Sequence, residues 1–148
     1  MDIVKRFLWG ICRLNLIQCA MYPSDFTVEG PHNSYILALA LFWSSRREAW
    51  PRMVPQTSSV SKVFGSRALE RFRSDLTLLE ATERNDDVNN AFSHLLKQSS
   101  AALLNSYARK DFPYSAWEVK TLLIQGLVSE EAAALQAQRF SLANGACT

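Results

Sequence analysis

The stretch from Asp86 to Tyr107, DDVNNAFSHLLKQSSAALLNSY, constrains the fold of this chain more than any other. Val88, Phe92, Leu95, Leu96, Leu103, Leu104 and Tyr107 recur at spacings of three, four, seven and eight. That pattern is one face of a helix of about six turns. Asn85 or Asp86 is placed to cap its first turn, where Asp86 and Asp87 also suit the positive end of the helix dipole. A helix this long, apolar along one side only, has to lie against other elements. The expectation is an all-α, single-domain bundle of five or six helices built around it.

Composition agrees with that expectation. A length of 148 residues suits one domain. With 48% apolar and 20% charged residues the chain has the balance of an ordinary globular protein. Only five Gly and five Pro are present, too few for the many tight turns of a sandwich or barrel.

Taken in order, Asp2 to about Ala20 reads as a first helix with a broad face of Ile3, Val4, Phe7, Leu8, Ile11, Cys12 and Leu16. Its alternative is a helix lying on a membrane surface or on a partner. Met21–Asn33 is punctuated by Pro23, Gly30 and Pro31 and reads as a connection. Ser34 opens a second helix to about Ala49, apolar all round through Trp43. A proline-held connection, Trp50–Ser59, follows. SVSKVF reads either as a short strand or as the lead-in to a third helix, Ser66 to about Ala81, with Ala68, Leu69, Phe72, Leu76 and Leu79 on its apolar stripe.

Beyond the central segment, ARKDFPY is a loop. Ser115-Ala-Trp-Glu118 is a capping box, in which the Ser side chain and the Glu three residues later each satisfy the other's free backbone amide. The helix it opens runs to Gln125, with Gly126 as its C-terminal cap. Ser129 caps a last helix, Glu130 to about Leu142. The pair invites a helix-turn-helix reading, but EEAAALQAQRF would present acid to DNA phosphate, so an antiparallel hairpin is expected. The longest apolar run, Tyr35–Trp43, is nine residues, against the roughly 20 of a membrane span.

Charge gives the one clue to partners. The net +2 is too small to imply nucleic acid, but its distribution is uneven. Arg46–Arg73 carries seven cations (Arg46, Arg47, Arg52, Lys62, Arg67, Arg71, Arg73) against Glu48 and Glu70, a net +5. Ser74–Asp87 carries Asp75, Glu80, Glu83, Asp86 and Asp87 against Arg84, a net −4. Arginine suits bidentate carboxylate or phosphate contact, and Trp43, Trp50 and Phe64 lie among or beside these cations. The plainer reading is that the aromatics face inward and the arginines are solvated or pair with the acidic block. Trp50 and Trp117 are the tryptophans expected either at the surface or as plugs at the end of the bundle.

Catalytic chemistry has little to work with. His32 and His94 fall in different elements; Asp86, Asn90 and His94 share a helical stripe, but Asp86 would lie about 12 Å from His94 along the axis. Neither Cys12 nor Cys19 has a His at metal-ligand spacing, and no nucleotide or nucleophile-elbow motif is present. An odd count of three cysteines builds no disulfide framework, which points to a reducing compartment, cytoplasmic or nuclear. The expected function is therefore non-enzymatic, without cofactor or metal: a small helical adaptor, inhibitor or subunit. It would bind another protein through Arg46, Arg47, Trp50, Arg52, Arg67, Arg71 and Arg73. Nucleic-acid binding by the same basic segment is the alternative, and an enzyme with a dispersed site the third.

Overall fold

The computed structural model describes residues 43–83 and 89–146, and these form an all-α bundle around one long helix. Five α-helices succeed one another: α1 (Val60–Phe64), α2 (Leu78–Glu83), α3 (Ala91–Ala108), α4 (Ala116–Gly126) and α5 (Glu130–Gly145). Two 3-10 turns, Arg47–Ala49 and Ser66–Glu70, join the early part of the chain. The centre is α3, which packs on α2, α4 and most extensively on α5. Among the described residues no helix is long and apolar enough to cross a membrane. The expected first helix, Asp2–Ala20, and the start of the second lie outside the described residues, as do Asn85 and Asp86.

The central helix starts later than its apolar periodicity implies. Asn90 is its cap: the chain there is extended (φ −135°, ψ 108°), and the Asn90 side-chain oxygen accepts the amides of Phe92 and Ser93 at 3.0 Å each. Asn90 therefore does not share a helical stripe with His94, and that spacing carries no relay.

A larger correction concerns burial. From Leu95 to Asn105 every residue is buried, polar ones included, so α3 is enclosed on all sides rather than along one face. Ser99, Gln98 and Asn105 are accommodated by hydrogen bonds, whereas the buried Ser100 hydroxyl has no partner among the described residues. Ser99 donates to the Leu95 carbonyl at 2.6 Å. Asn105 donates to Asn144 of α5 at 2.9 Å, and Asn144 donates back to the carbonyl and side-chain oxygens of Gln98, both at 3.0 Å. Trp43 extends this chain, its indole N–H reaching the Asn105 oxygen at 3.3 Å. Buried polar groups cost about 1–3 kcal/mol each when left unpaired, so this network fixes how α5 sits on α3.

The helix expected over Ser66–Ala81 is two separate pieces. Val60 N–H donates to the Leu76 carbonyl (2.8 Å) and Leu78 N–H to the Ser58 carbonyl (2.9 Å), an isolated antiparallel bridge between Ser59 and Thr77. That bridge keeps Leu76 and Thr77 out of a helix, and α2 begins only at Leu78. Thr77 and Glu80 then cap α2 reciprocally: the Glu80 carboxylate accepts the Thr77 amide (2.8 Å), and the Thr77 hydroxyl accepts the Glu80 amide (3.2 Å). Of the expected stripe, Ala68, Phe72 and Leu76 are buried and Leu79 packs partly against the core, but Leu69 is 45% exposed. SVSKVF resolves likewise into one bridging residue, Ser59, followed by α1, which Ser59 caps.

The C-terminal hairpin follows its sequence signals closely. Ser115 and Glu118 form both arms of the capping box, and the Ser129 hydroxyl accepts the Ala132 amide at 3.1 Å. Gly126, however, is the last helical residue and not a left-handed cap; Leu127 follows in right-handed geometry. Its role is close approach. A Cβ there would stand 2.6 Å from Leu95 Cδ2, so the glycine lets α4 press against α3. The α5 helix ends at Gly145, where the Arg109 guanidinium donates to the carbonyls of Ala143, Asn144 and Ala146 (3.4, 3.2 and 2.5 Å). A cation on these free carbonyls complements the negative end of the dipole.

Candidate interaction surface

The basic segment does not form one continuous surface. Trp50 is buried, and its indole N–H donates to the Trp43 carbonyl at 2.6 Å, so it belongs to the core with Trp43 and leaves the expected contact set. Helical geometry ends at Ser45, so Arg46 and Arg47 lie beyond the last turn that was expected to hold them. Arg46 pairs with Glu48 (3.7 Å), Arg47 with Glu83 (3.3 Å) and Arg73 with Asp75 (3.4 Å). Two of these three carboxylates come from the acidic block that follows the basic one. Such exposed pairs contribute about 0–1 kcal/mol each to stability, but they do lower the local positive potential. Arg52 and Arg67 are exposed and make no ion pair among the described residues.

Arg71 is placed differently. Its guanidinium lies 4.3 Å from the centroid of the Phe92 ring, a cation–π contact across the junction between the early chain and α3. Together they line an open groove of about 490 Å³ whose wall also includes Arg73, Glu80, Asn90 and Ser93, over the buried Phe72 and Leu76. Phe92 had a place in the apolar stripe of the central helix. Its role beside a cation arises because Asn90 starts α3 only two residues earlier, which leaves Phe92 half-buried at the helix end.

Glu80 is the acid in this groove. Hydrogen bonds from the Thr77 backbone amide and hydroxyl hold its carboxyl below the usual range against the opposing effect of desolvation, with a smaller contribution from the positive charge of Arg73. It is ionised at neutral pH and committed to capping α2, which suits neither a proton donor nor a base. Glu118 is lowered for the same reason by the Ser115 amide and hydroxyl. Among the described residues no three His, Cys, Asp or Glu side chains cluster as metal ligands would.

A second, smaller groove of about 320 Å³ opens between Lys62, Tyr107 and Lys120, with Met53 on its rim and the buried Leu103 beneath. Trp117, the other tryptophan in question, is 77% exposed on α4.

The family model of the protodermal factor 1 C-terminal domain matches residues 39–147, and the chain belongs to that family. Neither the curated proteins nor the solved structures contain a match.

Proposed function

We propose that this member of the protodermal factor 1 C-terminal domain family is a non-enzymatic binding module. It recognises an acidic or aromatic surface of another protein through the groove formed by Arg71, Arg73 and Phe92, with Arg67 nearby in sequence. The observation that carries this reading is the Arg71 guanidinium over the Phe92 ring, 4.3 Å from its centroid, beside an open groove. Arginine suits bidentate carboxylate contact, and aromatic and arginine side chains are those that dominate interface energetics. Arg46, Arg47 and Arg52 take a secondary part in it, since the first two already hold carboxylates.

Nucleic acid is the weaker partner on electrostatic grounds. A phosphate backbone would meet Glu80 in the groove and Asp75 beside Arg73, and the cations left uncommitted are few beside the 6–10 phosphate contacts of strongly salt-dependent binders. The three cysteines support a reducing compartment, cytoplasmic or nuclear; finding Cys12 and Cys19 disulfide-linked in native material would count against it.

The test is co-purification of the full chain from its native host, with and without nuclease. A defined protein retained after nuclease, and lost from an Arg71→Glu/Arg73→Glu variant of unchanged thermal stability, is the expected result. Recovery of nucleic acid that elutes above about 0.2 M salt would instead favour the phosphate-binding alternative.

A further inference from the structure

Among the described residues, one face of α5 is left exposed. Ala133, Gln136, Ala137, Phe140, Ala143 and Asn144 are buried, whereas Leu135 is 52% exposed and Leu142 69%. These two leucines are seven residues apart and so lie on one side of the helix. Val128, seven residues before Leu135 and just ahead of the Ser129 cap, is 73% exposed. Glu131 and Arg139, both exposed, flank Leu135 four residues to either side.

About Leu135 this face carries an acid four residues before and a base four residues after, so it is complementary in charge to its own reverse. A two-fold interface requires that kind of pattern, because the same patch must complement itself. When two copies of α5 run antiparallel about an axis at Leu135, Leu135 meets Leu135. Glu131 then stands level with the partner's Arg139. Each charge pair occurs twice. A parallel arrangement would set acid beside acid and base beside base.

We propose that α5 pairs with α5 of a second copy of this chain, antiparallel about a two-fold axis through Leu135. This face is separate from the Arg71–Phe92 groove, and the proposal does not depend on that groove's function. A 16-residue helix is about 24 Å long and gives an interface smaller than the standard size, so the dimer is a reversible one.

Sedimentation equilibrium of the full chain, over concentrations from about 10 µM to 1 mM, tests it. A monomer–dimer equilibrium is expected, abolished by Leu135→Asp, an exposed change that leaves the thermal midpoint in place. Glu131→Arg or Arg139→Glu alone weakens the dimer about tenfold, because each sets like charges opposite one another twice. The double variant Glu131→Arg/Arg139→Glu restores it. A chain that stays monomeric to about 1 mM, a dimer indifferent to Leu135→Asp, or a double variant that fails to rescue would each overturn the proposal.

Discussion

Trp50 illustrates what a single residue's surroundings decide. In a proline-held connection among arginines it had the credentials of an exposed anchor, yet the Trp43 carbonyl satisfies its indole and the ring closes the core. Trp50→Ala should therefore cost about 3–5 kcal/mol of stability and lower the melting temperature by roughly 10 °C, with partner affinity of the folded fraction unchanged. Asn144 is the corresponding polar position. Removing its side chain in Asn144→Ala strands the Asn105 amide and the Gln98 side-chain oxygen in a buried site, and should cost about 2–3 kcal/mol in denaturant titrations. Neither effect follows from the residue type alone. Both depend on what lies opposite.

Helix ends carry the element-scale chemistry. The Ser115–Glu118 box and the Thr77–Glu80 pair both hold a carboxyl below its ordinary value by hydrogen bonds to its ionised form. Since the folded-state pKa values are depressed, the stabilisation is fully present above the unfolded value near 4.5 and is lost as pH falls through the folded value. Glu118→Gln should flatten the acid limb of a stability–pH curve without moving the neutral plateau's shape. At Ser129, where no titration intrudes, Ser129→Ala should cost about 1 kcal/mol through the unsatisfied Ala132 amide. The central helix makes its own prediction. With Leu95–Asn105 enclosed on every side, its amides should be the slowest to exchange with deuterium, at the free energy of global unfolding.

At the scale of the whole molecule, opposite charge blocks adjacent in sequence fold against one another. Arg47 meets Glu83 and Arg73 meets Asp75, so the net +5 of the basic segment is partly cancelled before any partner arrives. Binding through the Arg71 groove should then respond to salt mainly in its association rate, because long-range steering is screened while the contact itself is short-ranged. Stopped-flow association between about 0.05 and 0.3 M salt should fall several-fold, with dissociation nearly constant. A steep loss of equilibrium affinity would point to phosphate.

The local signals in the sequence were sufficient wherever a feature depends on neighbours a few residues apart. The all-α class, the central position of the helix read over Asp86–Tyr107, the Ser115 box and the Ser129 cap all rest on helical periodicity and short-range capping. Those interactions are complete within one or two turns. Tertiary structure decided the rest. The Ser59–Thr77 bridge broke an apparently continuous helix because a pair of long-range backbone hydrogen bonds outweighed a periodic pattern. Gln98 and Asn105 of α3 are held in the interior by partners from Trp43 and Asn144, tens of residues away. Gly126 proved to be a spacer for Leu95 and not a turn residue, and Phe92 became the floor for an arginine. A periodic pattern records which way a side chain points along its own helix; what it meets there is set by the packing of other elements.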